Sequence, residues 1–170
     1  MERRPGASWL WMSLAVIVAD RATKFAIERY TTETFRRPVL SDIIVLVHNQ
    51  NPGIAFGLFS ESNAPWLSPL LLLSSAAVIA LLVWLLLTGH AGARLAQCGI
   101  ALILGGAAGN ASDRLIHGGV TDFLEARLGA YHWPAFNVAD SAISIGAVLV
   151  LIELLFAGRD HSGSGQRERG

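Results

Sequence analysis

Charge is scarce in this 170-residue chain: 15% of its residues are Asp, Glu, Lys or Arg, against roughly 25% in an average soluble domain. The 13 acidic and 13 basic side chains cancel, and no basic cluster is present to follow a phosphate backbone, so nothing points to nucleic acid. Cysteine occurs once, at Cys98, which rules out an internal disulfide and a cysteine-rich metal site. The five His, at positions 48, 90, 117, 132 and 161, lack the i, i+4 spacing of a helical zinc site. The sequence thus calls for no metal and no cofactor. Apolar residues are what the chain has in quantity, at 52%.

They are bunched. Uncharged runs cover residues 5–19, 62–89 and 95–112, and a fourth apolar run over 138–157 carries Asp140 in its first turn and Glu153 in its last. A helix needs about 20 mostly apolar residues to cross a bilayer. The run at 62–89 passes outright; the others pass if their polar residues sit at helix ends or face inward. The expectation is an all-α integral membrane protein, a single domain over 1–157, with four transmembrane helices. These span about 8–29, 66–88, 95–114 and 138–157, with larger loops over about 30–65 and 115–137 and a polar tail over 158–170.

The first run begins with Arg3 and Arg4 and continues through Trp9 and Trp11. A short basic start before an apolar centre also describes a cleaved secretory signal, but the helical pattern does not stop at Ala19. Asp20, Thr23 and Lys24 share one helix face, where Asp20 and Lys24 can pair and lower the cost of both charges at the membrane boundary. In the first large loop, Val39-Leu40 and Ile43-Ile44-Val45-Leu46-Val47 are β-branched and read as strand. Asn49-Gln50-Asn51-Pro52-Gly53 is a turn signal, followed by a second short apolar stretch at 54–59. A small sheet lying on the membrane surface would use this pattern.

The third helix holds Gly105 and Gly109 at small-xxx-small spacing, a face that lets another backbone approach closely. Asn110, Asp113 and Arg114 then appear where the helix leaves the membrane. Asp113 and Arg114 are adjacent and cannot face each other on a helix, so each needs its own partner. Asp122 follows in the second loop, and Asn137 is placed as the N-cap of the fourth helix. Asp140 falls at N3, where the helix dipole favours negative charge. Each of these has a structural reading: Asn51 as a turn former, Asp122 as solvated surface, Asp140 as a capping residue. Two carboxylates at the edge of membrane helices are nonetheless costly and rarely decorative. Ser112 and Ser141 have no nearby base to make them nucleophiles, and Cys98 sits mid-helix in apolar surroundings.

Taken together, Asp20-Arg21-Ala22-Thr23-Lys24, Asn51-Pro52-Gly53-Ile54-Ala55-Phe56, Gly109-Asn110-Ala111-Ser112-Asp113-Arg114, Val120-Thr121-Asp122-Phe123 and Phe136-Asn137-Val138-Ala139-Asp140-Ser141 resemble the motifs of the bacterial lipoprotein signal peptidases, or signal peptidase II. They stand in the family's order, and the resemblance covers about residues 8–157. Arg21 stands where the family more often has Gln. The resemblance implies that Asp122 and Asp140 are a catalytic pair and that Asp20, Lys24, Asn51, Gly53, Asn110, Arg114, Asn137 and Ala139 support them or bind substrate. It implies an aspartic endopeptidase acting on diacylglyceryl-modified prolipoproteins, cleaving on the amino side of the lipidated cysteine, and a target for globomycin-type inhibitors. It also implies a multi-pass protein of the bacterial plasma (inner) membrane in contact with membrane lipid, with its site near the extracytoplasmic face under a small β-cradle and both termini cytoplasmic. The charge pattern alone barely orients the chain: basic residues are nearly balanced between the two sides. Setting aside Arg21, Lys24 and Arg114 as site residues tilts the balance toward cytoplasmic termini.

The chemistry fits such a pair. Two adjoining carboxyls share one proton because both cannot ionise cheaply at short range. Asp140, in a helix first turn, is suited to carry the charge, and Asp122, beside Val120 and Phe123, to keep the proton. A small transporter or ion pathway would also place Asp, Asn and Arg at membrane depth, but it needs polar residues along the whole bundle. Here they cluster toward one end.

Overall fold

A computed structural model describes residues 6–41, 43–52 and 66–160. Gly53, the apolar stretch at 54–59 and residues 161–170 lie outside the described residues. A single 3-10 turn leads into helix α1 (Leu10–Tyr30), followed by strands β1 (Arg36–Leu40) and β2 (Ile44–Asn51). Helices α2 (Leu67–Thr88) and α3 (Arg94–His117), strands β3 (Val120–Leu128) and β4 (Tyr131–Phe136), and helix α4 (Val138–Asp160) complete the chain.

Helix α3 is the centre of the bundle, packed against α1, α2 and α4. Its small residues explain why. A Cβ on Gly105 would stand 2.7 Å from Val16 Cβ on α1, and one on Gly106 would collide with the Ala139 carbonyl oxygen of α4. Gly99 and Gly146 face each other across α3 and α4 in the same way. The glycine face is therefore a packing device. Apolar packing concentrates on the other side of α3, where Leu82, Leu86, Ala91, Ile100, Ala101 and Leu104 form a buried cluster with α2.

Among the described residues three helices, α2, α3 and α4, are long and apolar enough to cross a membrane. Helix α1 has the length, at 21 residues, but Asp20, Arg21, Lys24, Glu28 and Arg29 fall in its second half. Trp11, Leu14, Val18 and Phe25 project outward from the same helix.

The four strands form one antiparallel sheet in the order β1-β2-β3-β4, to which both large loops contribute. This corrects the placement of Asp122, expected in a loop and found on β3 opposite Asn49. Asp122, Glu125 and Arg127 weaken the strand signal of this segment; pairing with β2 and burial of Val120, Thr121, Asp122 and Phe123 override it. Two residues of β2, Val47 and His48, stand against the single Phe123. Such a bulge re-aims the following side chains, here Asn49 and Asn51. Helix α3 stops at Gly118, whose φ of +75° only glycine adopts without strain, and β3 begins two residues later.

Candidate active site

The site grows from the first turn of α4. Asn137 is its N-cap: the Asp140 backbone N–H donates to Asn137 Oδ1 at 2.9 Å, and the Asn137 N–H donates back to Asp140 Oδ2 at 3.2 Å. This reciprocal arrangement satisfies two backbone donors the helix would otherwise leave open. A third, the Ala139 N–H, donates to Asp20 Oδ1 at 2.9 Å, reaching across from α1. Ala139 is fully buried, and Gly109 faces it: a Cβ at 109 would stand 2.7 Å from Asp20 Oδ2 and 3.5 Å from the Ala139 Cβ. Only glycine leaves room there for the Asp20 carboxylate between α3 and α4.

Asp20 and Lys24 pair at i, i+4 with 2.7 Å between Nζ and Oδ2, and both are entirely buried. Lys24 Nζ also contacts Asp113 Oδ2 at 2.8 Å and donates to Asn110 Oδ1 at 2.9 Å. Asp113 and Arg114 do find separate partners. Asp113 is paired with Lys24 and with Arg21, whereas Arg114, half-buried, donates to the Asn110 carbonyl at 3.4 Å and interacts electrostatically with Asp140, Asp122 and Asp113.

Asn110 joins this charged cluster to the α4 carboxyl, donating from Nδ2 to Asp140 Oδ1 at 2.8 Å. Asp122 receives Asn137 Nδ2 at 2.7 Å on Oδ1 and Asn51 Nδ2 at 3.1 Å on Oδ2. Asn51, expected as a turn former, is the last residue of β2 and a side-chain donor to a buried acid. Of the residues expected in the site, Asp20, Lys24, Asn51, Asn110, Arg114, Asp122, Asn137, Ala139 and Asp140 come together at one junction of sheet and bundle.

Asp122 is 2% exposed. Burial, and then the charge of Asp140 beside it, push its carboxyl up to about 7, against the pull of the Asn51 and Asn137 amides. A carboxyl in such a setting holds its proton near neutrality. Both acids line one cavity of about 1140 Å³. Its floor is α3 (Ala107, Asn110, Arg114), its flanks are α2 (Ser74, Val78) and α4 (Ser144, Ile145), and its sheet-side wall carries Asn49 and Trp133. Helices α2 and α4, which both line the cavity, barely touch each other among the described residues. A buried carboxyl raised toward neutrality and a half-buried one, beside an apolar cleft, can activate a water and polarise a carbonyl.

Arg21, Asp113, Glu28 and Thr121 were not among the residues expected in the site. Arg21 pairs with Asp113 and lies 3.7 Å from Glu28, and Glu28 accepts the Thr121 hydroxyl at 2.7 Å. The Arg21–Asp113 and Glu28–Thr121 contacts join residues 92 and 93 positions apart along the chain, and no local spacing signals them. Glu28, Asp113 and His117 also bring one ligand atom each within 4.8 Å, a grouping the His spacing gave no hint of. The cations Arg21 and Lys24 already neutralise its two acids.

Fold and site together define a class: a helical membrane protein with a carboxyl pair set where a small sheet meets the bundle. The family described as signal peptidase (SPase) II matches residues 12–156. Curated relatives named lipoprotein signal peptidase include those of Burkholderia cenocepacia, 44% identical over 88% of each chain, and of Cupriavidus taiwanensis, 43% identical over 90% of this chain and 85% of the relative. That of Solibacter usitatus is 37% identical over 89% and 93%. A solved bacterial membrane enzyme, 24% identical, shares the fold over 98% of both chains with a TM-score of 0.81. The chain belongs to the signal peptidase II family.

Proposed function

We propose that this chain is an aspartic endopeptidase that removes the signal peptide from diacylglyceryl-modified prolipoproteins, cutting on the amino side of the lipidated cysteine. The observation that carries the reading is the pair of carboxyls, Asp122 and Asp140, lining one cavity that is also lined by the apolar helices α2 and α4. A substrate that is both a membrane helix and a lipid needs a site with such apolar walls. Membership of the family and the names of the relatives supply the reaction class. The transporter reading lacks support, because the buried charged side chains, Asp20, Lys24, Asp113 and Asp122, gather at one end of the bundle.

In this reading Asp122 carries the shared proton and Asp140 is ionised. The Asp140 carboxylate, held by the Asn110 amide and the Asn137 N–H, takes a proton from the attacking water. Asp122 donates a hydrogen bond to the scissile carbonyl and, as the tetrahedral intermediate forms, its proton. On collapse the C–N bond breaks as Asp140 gives its proton to the departing amine, and a hydroxyl of the gem-diol returns a proton to Asp122 as the new carboxyl forms. Asn51 and Asn137 hold the Asp122 carboxyl. Arg114 offsets the single negative charge that the pair places in the cavity.

The same reading makes α1 the fourth membrane-spanning helix, its charges at 20, 21, 24 and 28 turned inward onto Asn110, Asp113, Thr121 and Ala139. The protein then lies in the bacterial plasma membrane with both termini cytoplasmic and the sheet outside, and the cavity takes membrane lipid or a globomycin-type inhibitor. Incubating purified protein with a diacylglyceryl-modified prolipoprotein peptide and its unlipidated twin tests the function. Mass spectrometry should find a new amino terminus at the lipidated cysteine in the first and intact peptide in the second. Cleavage elsewhere, or of neither, refutes the proposal.

A further inference from the structure

Thr121 precedes Asp122 on β3 and points to the opposite side of the strand, since successive side chains alternate. It is fully buried, and every polar group it has is engaged by a different element. Its hydroxyl donates to Glu28 Oε1 on α1 at 2.7 Å and accepts Gln50 Nε2 on β2 at 2.9 Å. Its backbone N–H donates to Asp113 Oδ2 on α3 at 3.3 Å, and its carbonyl accepts Asn137 Nδ2 from the cap of α4 at 3.4 Å. The directions are fixed by chemistry: the single hydroxyl proton goes to the carboxylate, leaving the oxygen lone pairs for the amide. Glu28 is in turn held by Arg21.

The carbonyl of Thr121 and the N–H of Asp122 belong to one planar peptide unit. Clamping Thr121 therefore fixes the backbone from which the Asp122 side chain departs. We infer that Thr121 is a positioning residue: its hydroxyl, gripped between Glu28 and Gln50, sets the orientation of Asp122 toward Asp140 without touching substrate. The inference rests on the reading of Asp122 as one of the two catalytic carboxyls. It also gives Arg21 and Glu28 a role, as the support that holds the acceptor end of the clamp.

The test compares Thr121→Val, which keeps the shape and removes the hydroxyl, with Thr121→Ser, which keeps the hydroxyl. A misplacement of this kind costs about 10–100-fold in rate. Thr121→Val should lose that much in kcat on the lipidated peptide, with KM within twofold of wild type. The alkaline limb of its pH profile should move to lower pH, because a loosened Asp122 admits water. Thr121→Ser should restore kcat to within threefold, along with the wild-type profile. A wild-type kcat and pH profile in Thr121→Val overturns the inference, and so does an equal loss in Thr121→Ser. Should Thr121→Val fail to fold, Glu28→Met removes the acceptor from outside the cavity; it must lower kcat and shift the same limb, and an unchanged profile overturns the inference. An inactive wild type would instead strike the proposed function itself.

Discussion

At the scale of single residues, the site is a contrast between two acids. Asp140 is built into a helix terminus that supplies it with hydrogen-bond donors, and Asp122 is buried on a strand and held by two amides. Raised to about 7, the Asp122 carboxyl makes the active form one that loses its proton as pH rises through neutrality. Cleavage should therefore follow a bell-shaped pH profile whose alkaline limb lies near 7, read from initial rates across pH 4 to 9; the two limbs belong to the pair as a unit. The same shift acts on stability. A folded-state acid raised above its unfolded value, 3.8, binds its proton more tightly when folded, so its contribution to stability falls as pH rises from about 4 to 7. Asp122→Asn removes that loss, and thermal unfolding in detergent should show it more stable than wild type at pH 7 and level with it near pH 4.

At the scale of elements, buried charge holds α1, α3 and α4 together. Lys24 is fully buried against Asp20 and Asp113, and breaking such an arrangement from one side costs about 3–5 kcal/mol because the partners stay charged in the interior. Lys24→Met should lower the unfolding midpoint steeply. Lys24→Met combined with Asp113→Asn should recover part of the loss, and no recovery would show that the charges are not coupled. The Asp20 and Lys24 pair was legible in the sequence, since i, i+4 spacing on a helix is local, and so was the cap made by Asn137 and Asp140. The strand under Asp122 was not: a short segment with three charged residues becomes strand only when β2 lies beside it. The ties from Asp113 to α1 and from Thr121 to Glu28 were equally hidden, because tertiary packing alone brings those residues together.

At the scale of the whole molecule, polarity divides the fold into two zones. Outward-facing Leu, Val, Ile and Trp cover α2 and α4, while the sheet and the polar junction sit at one end of the bundle. If both termini are cytoplasmic, the β3–β4 turn lies outside and the α2–α3 linker inside. In a Cys98→Ala background, Leu128→Cys should react with an impermeant thiol reagent on intact cells, and His90→Cys should react only after permeabilisation. The reverse pattern would invert the proposed orientation. The proposed fourth span rests on the same division: α1 turns Asp20, Arg21, Lys24 and Glu28 onto α3, α4 and β3 and leaves Trp11, Val18 and Phe25 outside.

The central claim is that Asp122 and Asp140 together perform the cleavage, and single-site replacement tests it most directly. Rates of signal-peptide release from one diacylglyceryl-modified substrate should be measured for wild type, Asp122→Asn and Asp140→Asn, each shown to be folded by its thermal transition. Each role needs a group that can gain or lose a proton, so both variants should fall to the background rate while the wild type cleaves. Substantial turnover by either folded variant would contradict the account.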